Sequence, residues 1–310
     1  MAASTALVML MRKGLYRKGA AQANAPGAMS NNPAERISFQ GELGANSHIA
    51  ARGAYPDLLP LACPSFEDAF DAVSSGQAQY AMIPVENSVA GRVADVHHLI
   101  PESGLYIVAE RFEPIKHQLL GLPGASLASL THVRSHPQAL GQCRGHLRTL
   151  GVTAVTTADT AGAAREVAEL GDPRVGALAS ALAGEIHGLV TLKADIADAA
   201  HNTTRFLVFA RQADEAAPDS GPCMTSFVFR VRNVPAALYK ALGGFATNGV
   251  NMTKLESYIE GGGFSAAMFY AEVEGHPSEP NLHLAMEELR FFSSSLSILG
   301  IYPAAPFRRA

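Results

Sequence analysis

Four polar residues, Asn202, Thr203, Thr204 and Arg205, stand directly before an apolar run at residues 206–210. The run is typical of a buried strand, and loops beside strands often line binding clefts. A threonine hydroxyl can donate a proton, whereas an arginine can either clamp a carboxylate or form a structural ion pair. We predict that Thr204 is a proton donor, and both roles stay open for Arg205.

A second polar cluster, Glu86, Asn87 and Ser88, follows the apolar run at residues 80–83. That run predicts a buried strand, and ligands of open α/β sheets bind beyond the carboxyl ends of strands. Structural roles are also open, because Glu86 could favour a helix N-terminus and Ser88 could cap it. The cluster as a whole indicates a ligand site more strongly than any one member.

A third cluster begins at Ser135, where a strand predicted over residues 131–134 meets a helix start. Gln138 and Gln142 are four residues apart, so both can reach one ligand from the same helix face. Cys143 follows, and a helical cysteine among leucines is more typical of a core than of a nucleophile. Together, the three clusters indicate a cleft of neutral donors, with one acid and one arginine, that suits a small organic anion.

A glycine loop with Gly41 and Gly44 connects a short predicted strand to a predicted helix near Ser47. Such a loop can hold an anion on free backbone N–H groups. It lacks the full GxGxxG spacing, and no lysine follows as in a P-loop. A tight turn in which Asn46 or Ser47 caps the helix is an equally good explanation.

Composition narrows the function classes. The net charge of −4 and the lack of a large basic block argue against a protein that binds nucleic acid mainly through its phosphates. The three cysteines, Cys63, Cys143 and Cys223, are far apart, which argues against a disulfide scaffold or a zinc site and favours a reducing compartment. The adjacent His97 and His98 diverge, so we expect no metal site.

The chain divides by composition into a catalytic region, a linker and a small domain. Residues 1–28 are basic without any acid, so they could be a targeting peptide, a disordered tail or a segment before a true start at Met29. After the linker, the pattern predicts βαββαβ, a ferredoxin-like domain that usually pairs with a second copy. The expected divisions are 1–34 (disordered or non-native extension), 35–212 (two-lobed catalytic domain), 213–223 (linker), 224–303 (small domain) and 304–310 (tail).

Residues 36–212 resemble the catalytic domain of the prephenate dehydratase family, and residues 225–302 resemble the ACT domain that follows it. The matching motifs, in chain order, are Phe39-Gln40-Gly41 with Gly44 and Ser47, Ile83-Pro84-Val85-Glu86-Asn87-Ser88, Ser135-His136-Pro137-Gln138-Ala139-Leu140 with Gln142-Cys143, and Asn202 with Thr204-Arg205-Phe206. The resemblance implies an α/β fold like the type 2 periplasmic binding proteins, in which the chain crosses twice between two lobes. This agrees with the crossings that the sequence pattern predicts near residues 113 and 190. It also implies a cytoplasmic enzyme without a cofactor that converts prephenate into phenylpyruvate, water and carbon dioxide during phenylalanine synthesis.

The resemblance also implies site residues. Thr204 would protonate the departing hydroxyl, and the further catalytic residues would be Glu86, Asn87, Ser135 and Gln142. The substrate-binding residues would be Ser47, Ser88, Gln138, Asp159, Asn202 and Arg205. Phenylalanine would inhibit the enzyme by binding at Ala236, Ala237, Leu238, Asn251, Glu256 and Ser257.

Three departures and two alternatives accompany the resemblance. Ala236 stands where the family usually has glycine, and Tyr258 and Ile259 stand where it usually has arginine and proline, which bears on phenylalanine binding. Arogenate dehydratase has the same chemistry with an amino group in place of the keto group. A solute-binding protein without catalysis shares the two-lobed fold. We expect a homodimer or homotetramer that acts on prephenate and binds neither nucleic acid nor membrane.

Overall fold

The computed structural model describes residues 35–232, 234–259 and 266–309. The predicted N-terminal extension therefore lies outside the described residues. The strands are β1 (Arg36–Gln40), β2 (Leu59–Cys63), β3 (Tyr80–Asn87), β4 (Gly91–Arg92), β5 (Tyr106–Pro114), β6 (Gln118–Gly121), β7 (His132–Ser135), β8 (Thr153–Thr156), β9 (Val175–Ala179), β10 (Val190–Lys193), β11 (Thr203–Ala210), β12 (Cys223–Val231), β13 (Met252–Ile259), β14 (Ala266–Glu274) and β15 (Ser293–Pro303). The helices are α1 (Asn46–Ala54), α2 (Phe66–Ser74), α3 (Ala94–His97), α4 (Leu99–Glu102), α5 (Pro137–Gln142), α6 (Arg144–Leu150), α7 (Thr160–Leu170), α8 (Ala181–His187), α9 (Ala237–Thr247) and α10 (Pro280–Phe292).

The first lobe is built on the sheet β2-β1-β3-β11-β5, with β4 paired to the end of β3. β11 is antiparallel to both of its neighbours, so its first residues lie beside the last residues of β3. From Arg205 to Ala210 its side chains are all buried, because α1 packs on one face and α2 packs on the other together with the C-terminal domain. β11 is thus the central strand that presents the first polar cluster.

The second lobe carries the sheet β10-β6-β9-β7-β8. The chain enters this lobe between β5 and β6 and returns between β10 and β11. These two crossings confirm the predicted two-lobed α/β architecture of a type 2 periplasmic binding protein. Because both crossings adjoin β11, the start of that strand lies where the two lobes meet.

Gly44 lies in close contact with the other lobe. Its φ of 95° is in the region that favours glycine, and an added Cβ would meet the backbone of Ala183 at 2.7 Å. The Ser180 hydroxyl donates to the Gly44 carbonyl oxygen at 2.6 Å. A side chain at this position would therefore wedge the lobes apart.

The C-terminal domain follows the order β12-α9-β13-β14-α10-β15, which confirms the predicted βαββαβ fold. Its antiparallel sheet has the order β13-β14-β12-β15. One face packs on α9 and α10, and the other packs on the first lobe. Tyr258, Tyr270 and Tyr302 of this second face share one core cluster with Ile83 and Leu207 of the first lobe.

The segment predicted as a C-terminal tail packs on the first lobe. Phe307 stacks on Phe112 with ring centroids 4.5 Å apart, and Arg308 pairs with Glu110 at 2.6 Å. The three cysteines are unpaired and buried. In the part of the chain that the structure describes, no helix is long and apolar enough to span a membrane.

Candidate active site

A cleft of about 630 Å³ opens between the two lobes. The first lobe contributes the loop after β1, the start of α1, the ends of β3 and the start of β11. The second lobe contributes α5 and the start of α7. The polar residues of the three sequence clusters and the glycine loop that line it are Gln40, Asn46, Ser47, Asn87, Gln138, Gln142 and Thr204. Asp159, before α7, lines it as well.

Strand pairing decides which side chains face the cleft. β11 begins at Thr203, two residues before the predicted start, so Thr204 and Arg205 lie within the strand and point to opposite faces. Thr204 is paired with Asn87 and Arg205 with Glu86. Thr204 and Asn87 therefore share the cleft face, while Arg205 and Glu86 share the face that meets the C-terminal domain.

A network of side-chain amides surrounds the Thr204 hydroxyl. Asn87 Nδ2 donates to Thr204 Oγ1 at 3.0 Å and to Asn202 Oδ1 at 2.7 Å. Asn202 Nδ2 donates to Gln142 Oε1 at 2.9 Å, and Gln142 Nε2 lies 3.5 Å from Asn87 Oδ1. Residues from β3, α5 and the β10–β11 crossing thus form one ring of hydrogen bonds at the lobe boundary.

The orientation of Asn87 is fixed by its backbone partners. Its Oδ1 accepts hydrogen bonds from the backbone N–H groups of Val89 at 3.0 Å and Ala90 at 2.9 Å, which can only donate. The Nδ2 group must therefore face Thr204, and Thr204 Oγ1 is an acceptor in this bond. Within the described residues the hydroxyl proton of Thr204 has no acceptor, so it is available to a molecule in the cleft.

His117 completes the network, and the sequence motifs did not identify it. It lies just after the first crossing, and its Nε2 is 2.7 Å from Gln142 Oε1. Burial lowers the pKa of His117, and the hydrogen bond to Gln142 only partly opposes this effect. The ring is therefore neutral near pH 7 and orients Gln142. Its one sequence signal was its place beside a crossing.

Three helix N-termini point toward the cleft. Ser47 lies in the first turn of α1, whose N-cap Ala45 has no side-chain cap, so neither Asn46 nor Ser47 caps the helix. Gln138 lies in the first turn of α5, and Asp159 caps α7 by accepting from Gly162 N at 2.7 Å. The N–H groups in the first turn of α1 have no side-chain cap and therefore favour an anion, whereas the starts of α5 and α7 are capped by His136 and Asp159.

Glu86 does not face the cleft. Its carboxylate pairs with Lys254 at 2.5 Å and with Arg205 at 3.2 Å. Burial would raise the pKa of Glu86, but the hydrogen bond from Lys254 and the charge of Arg205 bring it below its usual value. Glu86 is therefore a carboxylate in an ion pair, and its position favours the electrostatic role over that of a proton source for the cleft.

Arg205 also lies outside the cleft, on the same face as Glu86. Its guanidinium is buried among Glu110 at 2.8 Å, Glu272 at 2.7 Å and Glu86. Burial opposes its charge, but the neighbouring carboxylates raise the pKa of Arg205 well above its usual value. Of the two roles left open by the sequence, this geometry favours the structural ion pair over the substrate clamp.

Two serines of the sequence clusters have other partners. The Ser135 hydroxyl is fully buried and donates to the Leu178 carbonyl oxygen at 2.7 Å, which joins β7 to β9. Ser88 Oγ donates to His201 O at 3.1 Å and accepts from Thr203 N, so it closes the loop before β11. Both positions support a structural role. Cys143 is buried, and burial raises its pKa to about 12, so it is not a nucleophile at neutral pH.

Arg92 on β4 lines the cleft and was not found from the sequence. It also forms an ion pair of 3.3 Å with Glu256 in β13. Glu256, predicted to bind phenylalanine, thus faces the first lobe, whereas Ser257 is exposed on the other face of β13. Ala236 and Ala237 lie at the start of α9, with Leu238 in its first turn, and Asn251 directly precedes β13.

Fold and site together define a two-lobed α/β protein whose cleft contains a hydroxyl held by an amide donor and the uncapped N-terminus of α1. The prephenate dehydratase family model matches residues 37–214. The bifunctional N-acyl-homoserine lactone acylase/prephenate dehydratase of Komagataeibacter europaeus is 50% identical over 88% of this chain and 97% of its own. The arogenate dehydratase/prephenate dehydratase 1 of Arabidopsis thaliana is 38% identical over 86% of this chain and 72% of its own.

A solved prephenate dehydratase from Arthrobacter aurescens, in complex with L-Phe, has the same fold. Its TM-score is 0.80 with 27% identity, and the match covers 87% of this chain and 90% of that one. The chain therefore belongs to the prephenate dehydratase family, a family of hydro-lyases.

Proposed function

We propose that the protein is a prephenate dehydratase that protonates the departing ring hydroxyl through Thr204. The observation that carries the proposal is the hydrogen bond from Asn87 Nδ2 to Thr204 Oγ1 at 3.0 Å. This bond leaves the hydroxyl proton directed at a ligand and places a donor where negative charge would develop on Oγ1. A threonine hydroxyl is a weak acid by itself, so this stabilisation is what makes Thr204 a plausible donor.

The proposed reaction needs little beyond protonation and positioning. The C–O bond of the ring hydroxyl breaks as Thr204 supplies a proton, and water leaves. The ring carboxylate departs as carbon dioxide, and the electron pair of its C–C bond completes the aromatic ring. One proton from solvent restores Thr204, so the prephenate dianion and one proton become the phenylpyruvate anion, water and carbon dioxide. General acid catalysis typically contributes about 10²- to 10⁴-fold to the rate.

Recognition of the substrate would use both lobes. The N-terminus of α1 in the first lobe can face one carboxylate, Gln138 on α5 in the second lobe can donate a hydrogen bond to the other, and Arg92 adds a positive charge. Holding both carboxylates across the cleft would fix the leaving hydroxyl against Thr204. Arogenate carries the same two carboxylates, so the second candidate substrate rests on this same observation.

Feedback inhibition by L-phenylalanine is part of the proposal. The C-terminal fold supports it, as does the solved relative that is described in complex with L-Phe. The predicted residues lie at the start of α9, directly before β13 and on β13. Tyr258, which replaces the usual arginine, packs on His97 with ring centroids 4.4 Å apart and so points to the first lobe instead of the exposed face. We also propose a cytoplasmic homodimer or homotetramer.

N-acyl-homoserine lactone hydrolysis is a second candidate activity because a relative with 50% identity carries that name. Acyl transfer by a hydroxyl nucleophile normally needs a base within hydrogen-bond reach. Among the described residues of the cleft, however, Thr204 is bonded to an amide and His117 to Gln142. The dehydratase chemistry therefore has the better support.

One assay separates the candidates. The purified protein is incubated separately with prephenate, arogenate and an N-acyl-homoserine lactone. Phenylpyruvate or phenylalanine is followed by ultraviolet absorbance, and free homoserine lactone by mass spectrometry. We expect turnover of prephenate that L-phenylalanine reduces. Turnover of arogenate alone would change the substrate, and binding without turnover of any of the three would contradict the proposed enzyme.

A further inference from the structure

The two faces of the β3–β11 pair connect the cleft to the C-terminal domain. On one face Thr204 is paired with Asn87, and on the other Arg205 is paired with Glu86. The register shifts between Arg205 and Phe206, which marks a β-bulge next to the proposed proton donor. Bulges re-aim the side chains beside them, so the backbone at Thr204 depends on what holds Arg205.

Arg205 is held from the C-terminal domain. Its Nη2 lies 2.7 Å from Glu272 Oε2 in β14 and donates to the Tyr302 hydroxyl in β15 at 3.2 Å. Glu272 is fully buried, and the Tyr270 hydroxyl donates to its other oxygen at 2.5 Å. A buried acid fixed by its own strand therefore sets the direction of the guanidinium.

The partner of Arg205 on β3 is held from the same domain. Lys254 of β13 donates to Glu86 Oε1 at 2.5 Å while Arg205 contacts the other oxygen. The cluster joins the acids Glu86, Glu110 and Glu272 to the bases Arg205, Lys254 and Arg308, and Lys254 also reaches Glu256, which pairs with Arg92. Because a buried charge without its partner is strongly unfavourable, neither half of this cluster can be removed without rearrangement.

We propose that Glu272 and Lys254 of the C-terminal domain position the Thr204–Asn87 pair for catalysis by fixing Arg205 and Glu86 on the opposite face of the same strands. They are positioning residues, since neither reaches the cleft. The catalytic domain would then lack two positioning contacts without the C-terminal domain. A shift of β14 would reach Thr204 through its neighbour Arg205, and a shift of β13 would reach Asn87 through its neighbour Glu86. This inference rests on the proposed dehydratase function.

The test uses Glu272→Gln in the full chain, because glutamine keeps the volume and a partner for Tyr270 but removes the charge. We expect kcat for prephenate to fall about 10- to 100-fold with KM changed less than about threefold, the signature of misplaced catalytic groups. Lys254→Gln, at the edge of the cluster, should lower kcat less, again with little change in KM. It replaces Glu272→Gln in the test if that variant does not fold. The matched control is Tyr258→Phe, which removes a hydrogen bond of 2.8 Å to His97 O in the same interface but does not touch Arg205.

Two readouts separate positioning from simple loss of stability. In a Thr204→Val background, Glu272→Gln should lower kcat no further, because the group that it positions is gone. Amide hydrogen exchange over residues 203–210 should rise in Glu272→Gln but not in Tyr258→Phe. The inference is wrong if the falls in kcat caused by Thr204→Val and by Glu272→Gln multiply in the double variant. It is also wrong if the hydrogen exchange and kcat of both Glu272→Gln and Lys254→Gln match those of Tyr258→Phe. If the wild-type protein turns over no substrate, the proposed function fails, and the exchange comparison alone decides the inference.

Discussion

Replacing Asn87 by aspartate would reverse the hydrogen bond on which the proposed chemistry depends. The turn that follows β3 should survive, because one carboxylate oxygen can still accept from Val89 N and Ala90 N. The other oxygen, however, can no longer donate to Thr204 Oγ1 at 3.0 Å or to Asn202 Oδ1 at 2.7 Å. Instead, the Thr204 proton would turn toward the carboxylate and away from the ligand.

The magnitude follows from the two effects that Asn87→Asp combines. Losing one preorganised donor to a developing oxyanion costs about 10²- to 10³-fold in kcat. The new negative charge would also lie in a cleft that binds a dianion, so KM should rise as well. Steady-state kinetics with prephenate measure both, and circular dichroism verifies the fold. Asn281→Asp, exposed in the first turn of α10, is the matched control. If Asn87→Asp kept kcat within about threefold of the wild-type value, the assigned direction of the bond would be wrong.

Three further predictions concern stability and regulation. Ala236 has a φ of 60° at the N-cap of α9, so Ala236→Gly should relieve strain and raise the free energy of unfolding by about 1 kcal/mol, seen as a higher Tm; a lower Tm would show that the position is unstrained. Burial lowers the pKa of His97 and His117 below the usual 6.5, so below that pH the unfolded chain binds more protons than the folded one. The free energy of unfolding should therefore be highest above pH 6.5 and decline as the pH falls. His97→Gln should flatten this decline in thermal scans, whereas His283→Gln, at an exposed position, should not. L-phenylalanine should bind in calorimetry and raise Tm despite the replacement by Tyr258, because that side chain packs on His97 away from the exposed face of β13; no heat and no shift would mean that the domain does not bind this ligand.

Local patterns predicted the architecture well. Apolar runs bounded by turn residues identified β3 and β11, and the change of rhythm after the linker identified the C-terminal βαββαβ order. Crossings near residues 113 and 190 were predicted from the pattern of strands and turns, and they were confirmed by the move of the chain between sheets after β5 and β10. These features depend on periodicity and on short-range turn chemistry, which a sequence displays directly.

The direction of side chains at the site could not be predicted in the same way. The predicted strand began at Arg205, whereas β11 begins at Thr203, and only strand pairing shows that Arg205 and Glu86 leave the cleft. Arg205 has partners far away in the sequence, such as Tyr302, which is 97 residues further along the chain. Contacts over such distances have no periodic signal, so the ion cluster, like the role of His117, required the three-dimensional structure.

The central claim is that Thr204 donates the proton, and the most direct measurement compares Thr204→Val with Thr203→Val in steady-state kinetics on prephenate. The two substitutions are identical and adjacent, but the Thr204 side chain lines the cleft whereas that of Thr203 lies on the opposite face of β11. We expect Thr204→Val to lower kcat by about 10²- to 10⁴-fold with little change in KM, while Thr203→Val stays close to the wild-type protein. Equal kinetics of the two variants, or a near-normal kcat in Thr204→Val, would show that Thr204 is not the proton donor.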